Sequence, residues 1–148
     1  MRLAAYLARD HEHCDDLFRQ AQQQAVAGCW DEAMSSFAAF HQALERHLTM
    51  EEEVLFAAVE SARGGPVGPT QQMRLEHLDL RDLAQEMANA AARRDTGGFS
   101  GAGETMRSLM QQHKQSEERV LYPMAEQILG ADATRVLADM RRVAAPAH

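Results

Sequence analysis

His47-Leu48-Thr49-Met50-Glu51-Glu52-Glu53-Val54-Leu55-Phe56 is the stretch on which the reading of this chain turns, because its pattern returns as His113-Lys114-Gln115-Ser116-Glu117-Glu118-Arg119-Val120-Leu121-Tyr122. In both, a histidine precedes a glutamate by four residues, which on a helix is one turn along the same face. Segments 41–60 and 107–126 resemble each other around this pair. Their surroundings are rich in Ala, Leu, Gln, Glu, Arg and Met and poor in β-branched and aromatic residues, which favours helix throughout.

Working outward, turn signals divide the chain. The first helix is expected over about residues 3–26, stopped near Gly28. Asp31 reads as the cap of a second, about 32–61. Arg63-Gly64-Gly65-Pro66-Val67-Gly68-Pro69 breaks it, since neither glycine nor proline continues a helix well. Thr70 reads as the cap of a third helix ending near Arg93, residues 95–103 read as a glycine-rich loop, and a fourth helix starts near Glu104 with a kink expected at Pro123. Gly130-Ala131-Asp132 restarts a short helix to about Val143, and Ala144 to His148 read as a frayed tail. The expected architecture is one all-α domain over 1–148. An antiparallel up-down-up-down four-helix bundle spans about 3–127, followed by a short C-terminal fifth helix at about 132–143.

Composition narrows the function. The 148 residues suffice for one core, and a formal net charge of -7 argues against a nucleic-acid partner. No apolar run is long enough for a bilayer, and the apolar start meets Arg9 and Asp10 too soon for a signal-peptide core. Two cysteines make no disulfide framework, so a cytoplasmic location is expected.

Seven histidines stand out. At about 100° per residue, Leu7, His11, Cys14 and Phe18 share one arc of the first helix, while His13 faces the opposite way. Phe40, Leu44, His47, Glu51, Val54 and Ala58 share an arc of the second, and Met73, His77, Leu80 and Ala84 one of the third. On the fourth, Met106, Leu109, His113, Glu117, Val120 and Met124 line up. Height agrees with direction. The midpoints of His11 and His47, of His47 and His77, and of His77 and His113 all fall at turns, so the four histidines converge on one layer of an antiparallel bundle.

A lone His-x-x-x-Glu pair carries little weight, because such pairs commonly support a helix surface. His41 and Glu45 are the internal control: same spacing, pointing outward. Two inward glutamates, however, need neutralising charge in an apolar core, and the nearest inward cation, Arg81, lies at the edge of its arc. Cys14 and the methionines Met73, Met106, Met110 and Met124 read as core filling. Asp15 reads either as an acceptor orienting His11 or as an exposed acid. Glu52, Glu53 and Glu118 read as solvated neighbours, and Tyr6, Tyr122 and Phe56 as pointing away from the ligand faces.

Four imidazoles and two carboxylates exceed the needs of one tetrahedral zinc and are too nitrogen-rich for calcium or magnesium. They suit iron or manganese in a bundle core. The Glu-x-x-His pair of ferritin-like proteins is missing.

Asp10-His11 leading to Asp16-Leu17-Phe18, the two His-x-x-x-Glu-Glu-x-x-Leu-aromatic segments and Glu76-His77 together resemble the hemerythrin-like, or HHE cation-binding, family over about residues 3 to 127. The resemblance implies an oxo- or hydroxo-bridged centre of two iron ions, held by His11, His47, Glu51, His77, His113 and Glu117, with Glu51 and Glu117 bridging. Oxygen-carrying hemerythrins have a second histidine one turn before the third-helix one, where this chain has Met73. Six ligands instead of seven imply a more open position, suited to binding or sensing O2, NO or peroxide. The alternative is a di-iron enzyme or iron donor in peroxide or NO detoxification or iron–sulfur repair.

Overall fold

The computed structural model describes residues 1–144, so residues 145–148 of the expected tail, His148 among them, lie outside the described residues. The first helix, Leu3–Val26 (α1), buries Leu3, Leu7, His11, Cys14, Phe18, Ala21 and Ala25, a stripe at three- and four-residue spacing. It stops where Gly28 takes φ 79°, a conformation that costs glycine nothing. The freed carbonyls of Gln24 and Ala25 then accept from the N–H groups of Cys29 and Gly28.

The second rod is Trp30–Met50 (α2), a π-helical turn at Glu51–Phe56, and Ala57–Arg63 (α3). The third is Gly68–Ala92 (α4). The fourth is Thr96–Ser116 (α5), a π-helical turn at Glu117–Leu121, and Tyr122–Leu129 (α6). A 3-10 turn, Gly130–Asp132, leads into the last helical segment, Ala133–Ala144 (α7).

Three expected boundaries are corrected. Asp31 does not cap α2; it lies in the first turn and pairs with Arg94 across the loop end. Thr70 lies inside α4, donating to the Val67 carbonyl and to Glu60. Residues 96–103 are helix, not loop. Asp95 caps α5 by accepting from the Gly98 N–H at 2.9 Å, and two of the glycines that argued for a loop, Gly98 and Gly103, are close-approach positions. A Cβ on Gly103 would stand 2.6 Å from the Gln22 amide nitrogen and 3.3 Å from the Met87 methyl. Cap and packing outweigh the roughly 1 kcal/mol cost of a glycine in a helix.

Side-chain pairs fix the topology. Between α1 and α2, Gln24 meets Ser36 near the turn and Asp10 meets His47 far from it. Between the second rod and α4, Thr70 meets Glu60, His77 meets Glu52 and Arg81 meets Glu45. Between α1 and the fourth rod, Asp15 meets Lys114, His11 meets Glu118 and Arg2 meets Glu126. Each series advances on one rod as it retreats on the other, so neighbours are antiparallel in an all-α four-helix bundle.

The core has two parts. One, toward the 27–29 and 93–95 turns, packs Phe18, Phe37, Phe40, Met87, Phe99 and Met106. The other packs Leu3, Leu7, Met50, Leu55, Phe56 and Tyr122, with Val136, Leu137 and Met140 of α7 added to it. Each such large side chain contributes about 1.5–3 kcal/mol on burial. The polar layer described next lies between them. Among the described residues no helix is long and apolar enough to cross a membrane.

Candidate metal centre

Each rod brings one histidine to this layer, and the second and fourth add a glutamate at the first residue of their π-helical turns. His11, His47, Glu51, His77, His113 and Glu117 are all buried, the two glutamates with no exposed surface. They form two groups able to hold a metal ion, His11–His47–Glu51–Glu117 and Glu51–His77–His113–Glu117, within each of which the donor atoms lie within 4.8 Å of one another.

The carboxylates are shared, oxygen by oxygen. Glu51 turns Oε2 toward His47 Nε2 at 3.5 Å and Oε1 toward His77 Nε2 at 3.1 Å. Glu117 turns Oε1 toward His11 Nε2 at 2.9 Å and Oε2 toward His113 Nε2 at 3.1 Å. A carboxylate that spans two clusters in this way has the disposition of a bridge between two metals.

Does the site fit metal ions? Buried polar atoms are ordinarily paired. Yet His47 Nε2, His77 Nε2, His113 Nε2, Glu51 Oε1 and Glu117 Oε2 are buried without a hydrogen-bond partner, all converging on this layer. Lone pairs aimed inward from five residues fit cations and leave little else to satisfy them.

The outward nitrogens are fully used. Nδ1 of His11 pairs with Glu118 at 2.7 Å, of His47 with Asp10 at 2.7 Å, of His77 with Glu52 at 2.6 Å and of His113 with Glu76 at 2.7 Å. A proton held on Nδ1 by a carboxylate leaves the Nε2 lone pair for a metal and makes it a better donor. Glu52 and Glu118 are therefore not merely solvated neighbours of the ligand turn. Asp15, one of whose readings was to orient His11, pairs with Lys114 instead. The clue was in the chain: every orienting acid stands next to a ligand, as Asp10-His11, Glu51-Glu52, Glu76-His77 and Glu117-Glu118. Arg81 joins Glu52 to Glu45 from outside the layer and makes no contact with the inner carboxylates.

Charge in the metal-free site is balanced by protons. Burial alone would lower the pKa of His77, but the carboxylates of Glu117, Glu51 and Glu52 close to its ring raise it to about 10. His47 is likewise held well above its usual value, burial being overcome by the Glu51 charge and the bond to Asp10. Burial pushes Glu117 up, yet the bond to His11 and the other histidines gathered around it hold it well below the carboxylate range. Burial raises the Cys14 thiol to about 12, which suits the core role expected of it.

The two π-helical turns correct the inward-facing set. Their i→i+5 bonding adds one residue to the turn, and a one-residue slip rotates everything beyond by about 100°. Leu55, Phe56 and Val59 are thus buried where Val54 and Ala58 were expected, and Leu121, Tyr122 and Ala125 where Val120 and Met124 were. Val120 is 56% exposed. Tyr122, expected to point away, is buried with its hydroxyl donating to Glu51 Oε2 at 2.6 Å, and Phe56 stacks on His77. Tyr6 remains outside the layer, its ring under Arg141.

Residues 2–125 match the hemerythrin HHE cation binding domain family. The chain belongs to this family. No curated protein and no solved structure gives a significant match. The hemerythrin-type bundle with its two buried His/Glu clusters is geometrically consistent with a di-iron site.

Proposed function

We propose that this hemerythrin-family chain holds two iron ions through His11, His47, Glu51, His77, His113 and Glu117, with Glu51 and Glu117 bridging, and binds or senses O2, NO or peroxide there. The carrying observation is the division of each glutamate's two oxygens between the clusters, which two metals explain and one does not. Bound iron supplies Lewis acidity and one-electron chemistry toward small oxygen and nitrogen species. Each cluster offers only two imidazoles and two shared carboxylates, and the position one turn before His77 is the buried, apolar Met73. That leaves room for an exogenous ligand. A cavity of about 20 Å³ adjoins His11, His47 and His113, lined by Cys14, Leu44, Leu48, Leu80 and Met110 together with Asp15 and Lys114, a size suited to a diatomic molecule.

The proposal also treats residues 1–148 as one domain, with Ala133–Ala144 as a short fifth helix closing the end of the bundle against Leu3, Phe56 and Tyr122. A cytoplasmic setting agrees with two cysteines that are both free. The test is metal content of protein purified without chelator, with optical spectra before and after oxygen reaches the reduced form. One iron per cluster and an oxygen-dependent spectral change support the proposal, whereas manganese, zinc or an unchanging spectrum sinks it. The same open position supports a second reading, an enzyme or iron donor in peroxide or NO detoxification or iron–sulfur repair. Steady-state peroxide or NO turnover, or transfer of iron to an apo cluster protein, would select it.

A further inference from the structure

Tyr122 is not accounted for by six ligands. Its hydroxyl oxygen lies 2.6 Å from Glu51 Oε2, 3.0 Å from Glu117 Oε1 and 3.3 Å from His11 Nε2. All three are metal-facing atoms of the His11–His47 cluster. A phenol has one proton to donate, yet three acceptor-type atoms from three rods crowd its oxygen. A ring buried only to orient one carboxylate needs one such contact. Three contacts converging at this range are what a fifth donor atom in the same coordination sphere makes.

We infer that Tyr122 Oη is itself a ligand of the metal in the His11–His47 cluster, so that the two metals are chemically unlike. This rests on the di-metal reading above.

The opposite pole of the site is a built-in comparison. Tyr122 is the fifth residue after Glu117, and Phe56 is the fifth residue after Glu51, each just beyond or at the end of its π-helical turn. The Tyr122 ring stacks on His11 at 5.8 Å and 20°, and the Phe56 ring stacks on His77 at 5.5 Å and 29°. Place and stacking are equivalent, but only one pole carries a hydroxyl. The metal of the His77–His113 cluster is therefore left with fewer protein ligands than its neighbour.

On ligation the oxygen–hydrogen bond of Tyr122 gives way to an oxygen–metal bond and the proton passes to solvent, with no change in oxidation state. Ferric phenolate complexes absorb strongly in the visible, and that is the readout. The chain is loaded with ferrous iron without oxygen, then opened to air, which oxidises the iron. Wild type should take up one iron per cluster and show a phenolate-to-iron band. Tyr122→Phe should keep the iron and lose the band, and Tyr6→Phe should keep both. With only two tyrosines in the chain, that pair assigns the band.

Resonance Raman of wild type grown on ring-deuterated tyrosine gives the same answer without a variant, through shifted phenolate ring modes excited in the band. Iron-loaded wild type lacking those modes, with a spectrum unchanged by Tyr122→Phe, overturns the inference and leaves the di-metal reading standing. Wild type that takes up no iron overturns both.

Discussion

At the scale of single residues, the shared carboxylates and the outer acids have separable jobs. Glu117 faces all four histidines and serves both clusters. Glu117→Gln keeps the volume but removes the shared anion, so iron per chain should fall from one in each cluster to less than one in total. His13→Ala, on the exposed face of α1, should leave it unchanged; metal analysis after anaerobic loading checks both. Glu52 touches only the outer nitrogen of His77 and Arg81. Glu52→Gln should weaken metal affinity by roughly 10–100-fold without abolishing binding, as measured by competition with a coloured chelator. The six inner residues were legible because spacing gives both direction and height on an antiparallel helix pair. The acids were not, because a residue next to a ligand points about 100° away from it. Helix-face reasoning assigns such a side chain to solvent, whereas a neighbouring rod turns a histidine edge toward it.

At the scale of elements, periodicity carried the rods and failed at two kinds of place. A π-helical turn leaves no mark in composition, so the faces of 54–58 and 120–124 slipped by one residue, and Tyr122 with them. The glycine-rich start of α5 was obscured for the opposite reason: a strong compositional signal for a loop was overridden by the Asp95 cap and by packing against Gln22 and Met87. The end of α4 shows local chemistry that composition also hides. Arg94 adopts φ 51°, the one non-glycine residue with positive φ among those described. The N–H groups of Arg94 and Asp95 close on the Ala91 and Ala90 carbonyls as a glycine-type helix stop does. Arg94→Gly should stabilise the protein by up to about 1 kcal/mol by relieving the left-handed strain. The exposed pair with Asp31 that it loses contributes little. Urea titration of both proteins reads the difference.

At the scale of the whole molecule, the polar layer between two apolar clusters ties folding to metal and to pH. In the metal-free protein His77 has a pKa of about 10 against its ordinary value of 6.5. A raised pKa stabilises the fold fully below the unfolded value, and the benefit disappears as pH climbs through the folded one. Metal-free protein should therefore melt at lower temperature at pH 10.5 than at pH 6, while the metal-loaded form shows much less of this loss, because its imidazoles carry metal in place of the proton. Thermal melts of both forms at the two pH values decide it. The same protonated histidines mean that loading at neutral pH acidifies a weakly buffered solution. The outer acids have a consequence for electron transfer. Asp10, Glu52, Glu76 and Glu118 ring the layer while Glu51 and Glu117 occupy it, so anionic groups outnumber the charges on a pair of divalent ions. Such surroundings favour the higher oxidation state. The reduction potential of iron bound there would be lowered accordingly, and its ferric state would be the one that persists in air.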